Sequence, residues 1–239
     1  AEEKPLKVGV CIYRFDDDFM TLYRTELQKY LEETYGAEVT VVDGKNDQTE
    51  QTNQINSFIA EGVDVLIVNL VQSTAASAVT ELAKAADIPV VYINREPSET
   101  DMAAWEGKIA YVGADARQSG TMQGQIVYDR EDHGDLNGNG KVDYVMIMGD
   151  PENPDARLRT EYSVKYLTDN GVEVNKLFEQ RGDWMQEHGQ QLAALVGQSR
   201  LQVRSADVHT YILHCFALFS FIMASILLSN CVTKSRAAL

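Results

Sequence analysis

Oxygen-bearing side chains recur at alternate positions in the stretch DLNGNGKVD, residues 135–143: Asp135, Asn137 and Asn139, then Asp143, with Gly140 between them. Such a run around a glycine is the front of a calcium-binding loop of the EF-hand kind. The loop would close with a bidentate Glu at its twelfth position, but counting from Asp135 that residue is Met146. A thioether is no ligand for a hard cation. Either the carboxylate comes from elsewhere in the chain, or the stretch is a glycine-rich surface turn.

A second group of residues follows four apolar runs. Tyr13, Asp16, Asp17, Asp18 and Phe19 lie at or after the run 7–13, Asn94 and Arg95 at the end of 88–94, Asn153, Asp155 and Arg159 after 142–149, and Asp183 and Trp184 after 172–180. Carboxylates, amides, guanidinium groups and flat rings together suit a neutral polyhydroxylated ligand. Each hydroxyl both donates and accepts, so acidic and basic partners are equally useful. A hydrogen bond to a charged partner contributes roughly 1.5–3 kcal/mol net. A pyranose also has apolar C–H faces that pack on Phe or Trp. Plainer roles stand beside this one. Asp16 to Asp18 could cap a helix start, Asp155 and Arg159 could form a surface ion pair worth little, and Phe19 and Trp184 could belong to the core.

The elements that would position these residues are legible in the pattern. KVGVCIY (7–13), EVTVVD (38–43), VDVLIVNL (63–70), IPVVYIN (88–94), KIAYVG (108–113), VDYVMIMG (142–149) and VEVNKLFEQ (172–180) read as strands. Between them, residues 16–35, 47–60, 73–86, 116–131, 155–171 and 184–197 have helical spacing. Strands alternating with helices at such intervals specify βαβ units and a parallel sheet. Open sheets of this class bind ligands beyond the C-terminal ends of their strands, which is where the second group of residues falls. The natural division is an N-terminal α/β lobe over 1–108, with a hinge across REPSETDMAAWEG (95–107), and a partial C-terminal lobe over 109–197.

Composition narrows the function. The 239 residues carry a formal net charge of −15, which argues against nucleic acid and anionic membrane surfaces as partners. No G-x-G-x-x-G follows the first strand, and the loop there, YRFDDDFM, would set three carboxylates against a pyrophosphate. The sequence has no phosphate-loop motif and no G-x-S-x-G elbow, so the expectation is a binding protein and not an enzyme. Of three cysteines, Cys11 sits in an apolar run and reads as a small core residue. The opening AEEKPLK resembles what signal-peptide cleavage leaves behind.

The texture changes after about Gly197. TYILHCFALFSFIMASILLSNCV (210–232) has no formal charge, and Lys234 and Arg236 follow it. Its length and apolarity suit one membrane span.

Taken in order, KVGVCIYRFDDDFM, VDVLIVNLV, PVVYINREPS, YVGADARQSG with QGQ, and GDPENPDARLRT resemble the galactose/glucose-binding periplasmic proteins over about residues 6–197. The resemblance implies a periplasmic-binding-protein type I fold: two Rossmann-like lobes with parallel sheets, joined by three crossovers, the second lobe incomplete here. It implies a monomer that captures D-galactose or D-glucose for the permease of an ABC importer, in some bacteria also serving a chemoreceptor, in the periplasm or lipid-anchored outside the cell. The ligand-binding positions it implies are Asp17, Phe19, Asn94, Arg95, Asn153, Asp155, Arg159 and Trp184, with Tyr13 lining the cleft and Phe19 and Trp184 sandwiching the ring. Two departures bear on specificity: the family usually has Lys where Arg95 stands and His where Asn153 stands. The resemblance also implies that Asp135, Asn137, Asn139 and Asp143 hold Ca2+ by side chain and Lys141 by its carbonyl, the bidentate Glu arriving from a later strand. No Glu occurs after Glu187, and residues 198–239 match nothing in the family, so sugar affinity is expected to be impaired and calcium affinity weak. A frame-shifted reading or a real membrane anchor would each account for that segment. The competing functional reading is a membrane-tethered calcium-binding module without a sugar ligand.

Overall fold

The computed structural model describes residues 4–198, with side chains placed through Leu195. The apolar segment 210–232 and both readings of it lie outside the described residues. Among them, no helix is long and apolar enough to cross a membrane.

Seven strands and seven α-helices follow one another: β1 (Lys7–Ile12), α1 (Asp18–Tyr35), β2 (Glu38–Asp43), α2 (Gln48–Glu61), β3 (Val65–Val68), α3 (Ala76–Ala85), β4 (Val90–Ile93), α4 (Glu99–Met102), β5 (Ile109–Val112), α5 (Ala116–Tyr128), β6 (Val142–Met148), α6 (Pro154–Asp169), β7 (Val174–Arg181) and α7 (Gln186–Gln198). All strand pairings are parallel. The chain forms two compact units that meet between Ala114 and Asp115.

The first unit holds a five-stranded sheet in the order β2-β1-β3-β4-β5. Its strands β3 and β4 are apolar at every position because both faces are covered. Ile67 and Val65 face the side where α1 lays Met20, Tyr23, Leu27 and Leu31. Leu66 and Val68 face the side where α2 contributes Ile55 and Phe58, and α3 Val79 and Ala83. Cys11 is fully buried on this second side, and desolvation pushes its thiol up to about 12. It is a core residue, as its sequence context implies.

Strand β5 corrects the expected lobe boundary. The run 108–113 was expected to open the second lobe, yet Ile109–Val112 pairs in register with Val90–Ile93. The stretch 95–107 therefore leaves and re-enters one sheet. It holds the short helix α4, started by a reciprocal capping box between Ser98 and Asp101. Periodicity identifies a strand but not its neighbour, because parallel pairing is non-local.

The second unit pairs β6 with β7, with an irregularity between Tyr144 and Val145. Helices α5 and α6 lie against each other along a glycine seam. A methyl at Gly120 would come within 2.8 Å of Arg159 O and of Tyr162 Cβ. Small residues four apart on α5 thus let the two backbones approach closely.

Candidate functional site

In the first unit, the ends of β1 and β4 bring Tyr13, Asp17, Asn94 and Arg95 together: Tyr13 bonds Asp17, Asn94 is tied to Tyr13 N–H through Asn69, and Arg95 stacks on the Tyr13 ring. Asp17 caps α1 with one carboxylate oxygen and holds Tyr13 with the other. Its Oδ1 accepts from the Met20 N–H at 2.8 Å and caps α1, while its Oδ2 accepts from Tyr13 Oη at 2.6 Å. Burial, and then the neighbouring Asp17 carboxylate, push the Tyr13 phenol well above its ordinary pKa. The phenol therefore stays a donor to Asp17. Asp16 and Asp18 are exposed, and Asp16 pairs with Arg14 at 3.2 Å. Phe19 is half-buried, packed against the core and 6.0 Å from the Tyr23 ring.

Arg95 departs from the role of a side chain reaching freely toward a ligand. It is 1% exposed, its guanidinium lies 4.3 Å from the Tyr13 ring centroid, and it donates to Val71 O. A planar cation stacks on an aromatic face in a way an ammonium cannot reproduce. Arg95 thus supports the Tyr13 ring. Beneath this group lie two residues that the sequence reading passed over, Gln51 and Asn69, both fully buried. Gln51 donates to Asn69 O at 2.8 Å and accepts from Val71 N–H at 3.0 Å. Asn69 bonds Tyr13 N, Ile93 O and Asn94 Oδ1. A signal was available: Gln51 shares a helix face with Ile55 and Phe58, and a lone amide on a buried face requires partners.

In the second unit, the start of α6 and the end of β7 place Asn153, Asp155, Arg159 and Trp184. Asn153 caps α6, its Oδ1 accepting from the Asp155 N–H at 2.9 Å, and Pro154 follows in the first turn. Asn153 and Asp155 are 4% and 5% exposed. Asp155 and Arg159 form the ion pair anticipated from their spacing, at 3.0 Å, but it is largely buried and not a surface pair. Arg159 Nε is also buried and has no acceptor among the described residues. Asp183 and Trp184 both adopt left-handed backbone, with φ of 53° and 57°. Two consecutive non-glycine residues in that region mark a functional or strained position. The Trp184 indole lies directly over Gly149, where a Cβ would overlap the ring. Asp183 takes an ion pair from Arg181.

The loop 135–143 is wound on itself. Asp135 accepts from the N–H groups of Asn139 and Gly140 at 3.0 and 2.8 Å. Asp143 accepts from the amides of Asn137 and Asn139, both at 2.8 Å, and from Asn175 on β7 at 2.7 Å. Those amide bonds, Asn175 first, hold the Asp143 carboxyl below its ordinary pKa. The Lys141 ammonium meets Glu173 at 2.5 Å. Among the described residues no cluster of three or more His, Cys, Asp or Glu side chains could hold a metal ion. Two carboxylates, two amides and one carbonyl amount to five oxygen donors, short of the six to eight that calcium takes.

Comparison with known proteins places the chain. The profile of the periplasmic binding protein domain matches residues 8–202. The D-galactose/methyl-galactoside binding periplasmic protein MglB of Haemophilus influenzae is 35% identical over 181 residues, which are 74% of this chain and 54% of that protein. The ribose import binding protein RbsB of Bacillus subtilis is 29% identical over 131 residues, covering 54% of this chain and 40% of that one. A crystal structure from Mycobacterium smegmatis in complex with β-D-fucofuranose aligns with a TM-score of 0.68 at 26% identity, over 81% of this chain and 61% of that one. The chain thus spans little more than half the length of the first of these relatives. With strands parallel throughout and polar residues gathered at their C-terminal ends, the chain belongs to the periplasmic binding protein domain family.

Proposed function

We propose that this protein captures a hexose, D-galactose or D-glucose, for the permease of an ABC importer. One observation carries the reading furthest: the buried Asp155–Arg159 pair at the start of α6, whose Nε donor is buried without an acceptor among the described residues. A buried donor calls for a partner, and a hydroxyl that both donates and accepts can serve the carboxylate and the guanidinium together. Within the second unit Asn153 and Trp184 extend the same chemistry, and the first unit by itself offers Asp17, Asn94 and the ring of Phe19. The relatives named for galactoside and ribose support a sugar as the ligand class. A monomer outside the cytoplasm, free in the periplasm or lipid-anchored, and a chemoreceptor contact belong to the same proposal.

Titration calorimetry against galactose, glucose, ribose and arabinose tests it. Heat with a hexose that Asp155→Ala abolishes is the expected result, and no heat with any of the four sinks the proposal. For the loop 135–143 we propose weak calcium binding, since five donors are present and three amides already hold Asp143.

A further inference from the structure

The buried amide of Asn69 stands where three segments meet, and its orientation is dictated by backbone groups. Its Oδ1 accepts from the N–H of Tyr13 at 3.3 Å, and a backbone N–H can only donate. Its Nδ2 donates to the carbonyl of Ile93 at 3.2 Å, and a carbonyl can only accept. Exchanging the oxygen and nitrogen of this amide would oppose both partners, so its direction follows from chemistry. The second Nδ2 hydrogen meets Asn94 Oδ1 at 3.2 Å. Asn69 cannot swing aside: it is fully buried, its backbone N–H bonds Cys11 O at 2.8 Å, and its carbonyl is held by Gln51.

Asn94 is fixed in turn. It sits in left-handed backbone with φ of 64°, half-buried at the end of β4. Its oxygen is engaged by Asn69, while its amide nitrogen bonds to nothing else among the described residues. We propose that Asn69 is a positioning residue that sets the polarity of the site: by holding Asn94 Oδ1 toward the buried amide, it turns the amide so that the free N–H groups are what Asn94 offers a ligand. Asn94 then donates to a ligand oxygen and does not accept from one. The chain of amides Gln51–Asn69–Asn94 converts the fixed direction of two backbone groups into a fixed direction at the site. It selects for an acceptor at that point of the ligand. The inference rests on Asn94 facing the sugar, as proposed above.

Two measurements test it. The first uses the ligand-free protein, whole and with ordinary solvent access. Hydrogen exchange of side-chain amides by NMR should find the Asn69 amide protons slow and those of Asn94 fast. In Asn69→Asp the new carboxylate accepts where the amide donated, so Asn94 turns over and its amide protons slow by roughly tenfold or more. Slow exchange at Asn94 in the unsubstituted protein would overturn the inference, as would unchanged exchange in a folded Asn69→Asp. The second measurement compares glucose and galactose analogues in which each hydroxyl in turn is replaced by fluorine, which accepts weakly and donates nothing, or by hydrogen. At the hydroxyl that Asn94 meets, fluorine should be tolerated better than hydrogen. Asn94→Asp, which leaves the buried amides intact, should reduce that preference by roughly tenfold. If the preference is absent at every position, or survives Asn94→Asp, the inference is wrong. If neither parent sugar binds, the sugar proposal fails, and the exchange measurement still decides the direction of the amide.

Discussion

The two units carry site residues of the same kinds on very different foundations. In the first, Tyr13, Asp17, Asn94 and Arg95 stand on a sheet whose central strands β3 and β4 are buried at every position. In the second, Asn153, Asp155, Arg159 and Trp184 stand on a two-stranded sheet whose strand β7 has no fully buried residue. The first unit fixes its site from below, through an apolar core on both faces and a buried amide network. The second fixes its site through a helix cap, one ion pair and a glycine under an indole. The cap and the ion pair join residues close in sequence and depend little on the rest of the sheet, so they hold a geometry where the surrounding core is thin, while Gly149 and Trp184 meet across the ends of β6 and β7.

That contrast can be broken most forcefully at Asp155. Replacing it with alanine leaves the Arg159 guanidinium partly buried without its carboxylate, and should cost about 3–5 kcal/mol. The loss should appear in chemical denaturation followed by a probe in the second unit. Ile67→Ala, in the centre of the first sheet, should cost about 2–5 kcal/mol, whereas Leu177→Ala on half-buried β7 should cost under about 1 kcal/mol. Similar losses for the two would erase the difference in foundations. Gly149→Ala should displace the Trp184 indole at a cost of about 1–3 kcal/mol. In a Trp105→Phe background its emission should shift to the red, and an unchanged spectrum would show that the ring does not depend on the glycine. Calcium should have the smallest effect: at a concentration equal to its dissociation constant it adds about 0.4 kcal/mol. A thermal midpoint that falls by many degrees on chelation would show a complete site.

Much of the first unit was legible because its strands are short, apolar and bounded by turn residues. Asp17 was readable both as a cap and as a polar site residue, and it serves as a cap with its second oxygen on Tyr13. Strand β5 was found but given to the wrong unit, because hydrophobic runs say nothing about which strand lies alongside. The spacing of Asp155 and Arg159 gave their pairing but not their burial, which depends on what else packs over α6. The motif that points to Arg95 does not tell where its guanidinium lies, because its place against the Tyr13 ring depends on the path of the loop that presents Val71 O. Asn69 was hidden in plain view at the end of VDVLIVNL, one amide in an apolar run.

The seam between α5 and α6 has a mechanical consequence. With Gly120 against the backbone of Arg159, and Gly124 against Tyr166 and Ser163, the two helices mesh like a rack and its pinion. At the two glycines only backbone and Cβ atoms of α6 lie opposite, and the Tyr128 and Tyr166 rings pack edge-on at 6.0 Å further along. Met122 and Ile126 project from the exposed side of the same helix α5. A push on those two residues is handed at the glycines straight to the backbone of α6, the helix that carries both Asp155 and Arg159.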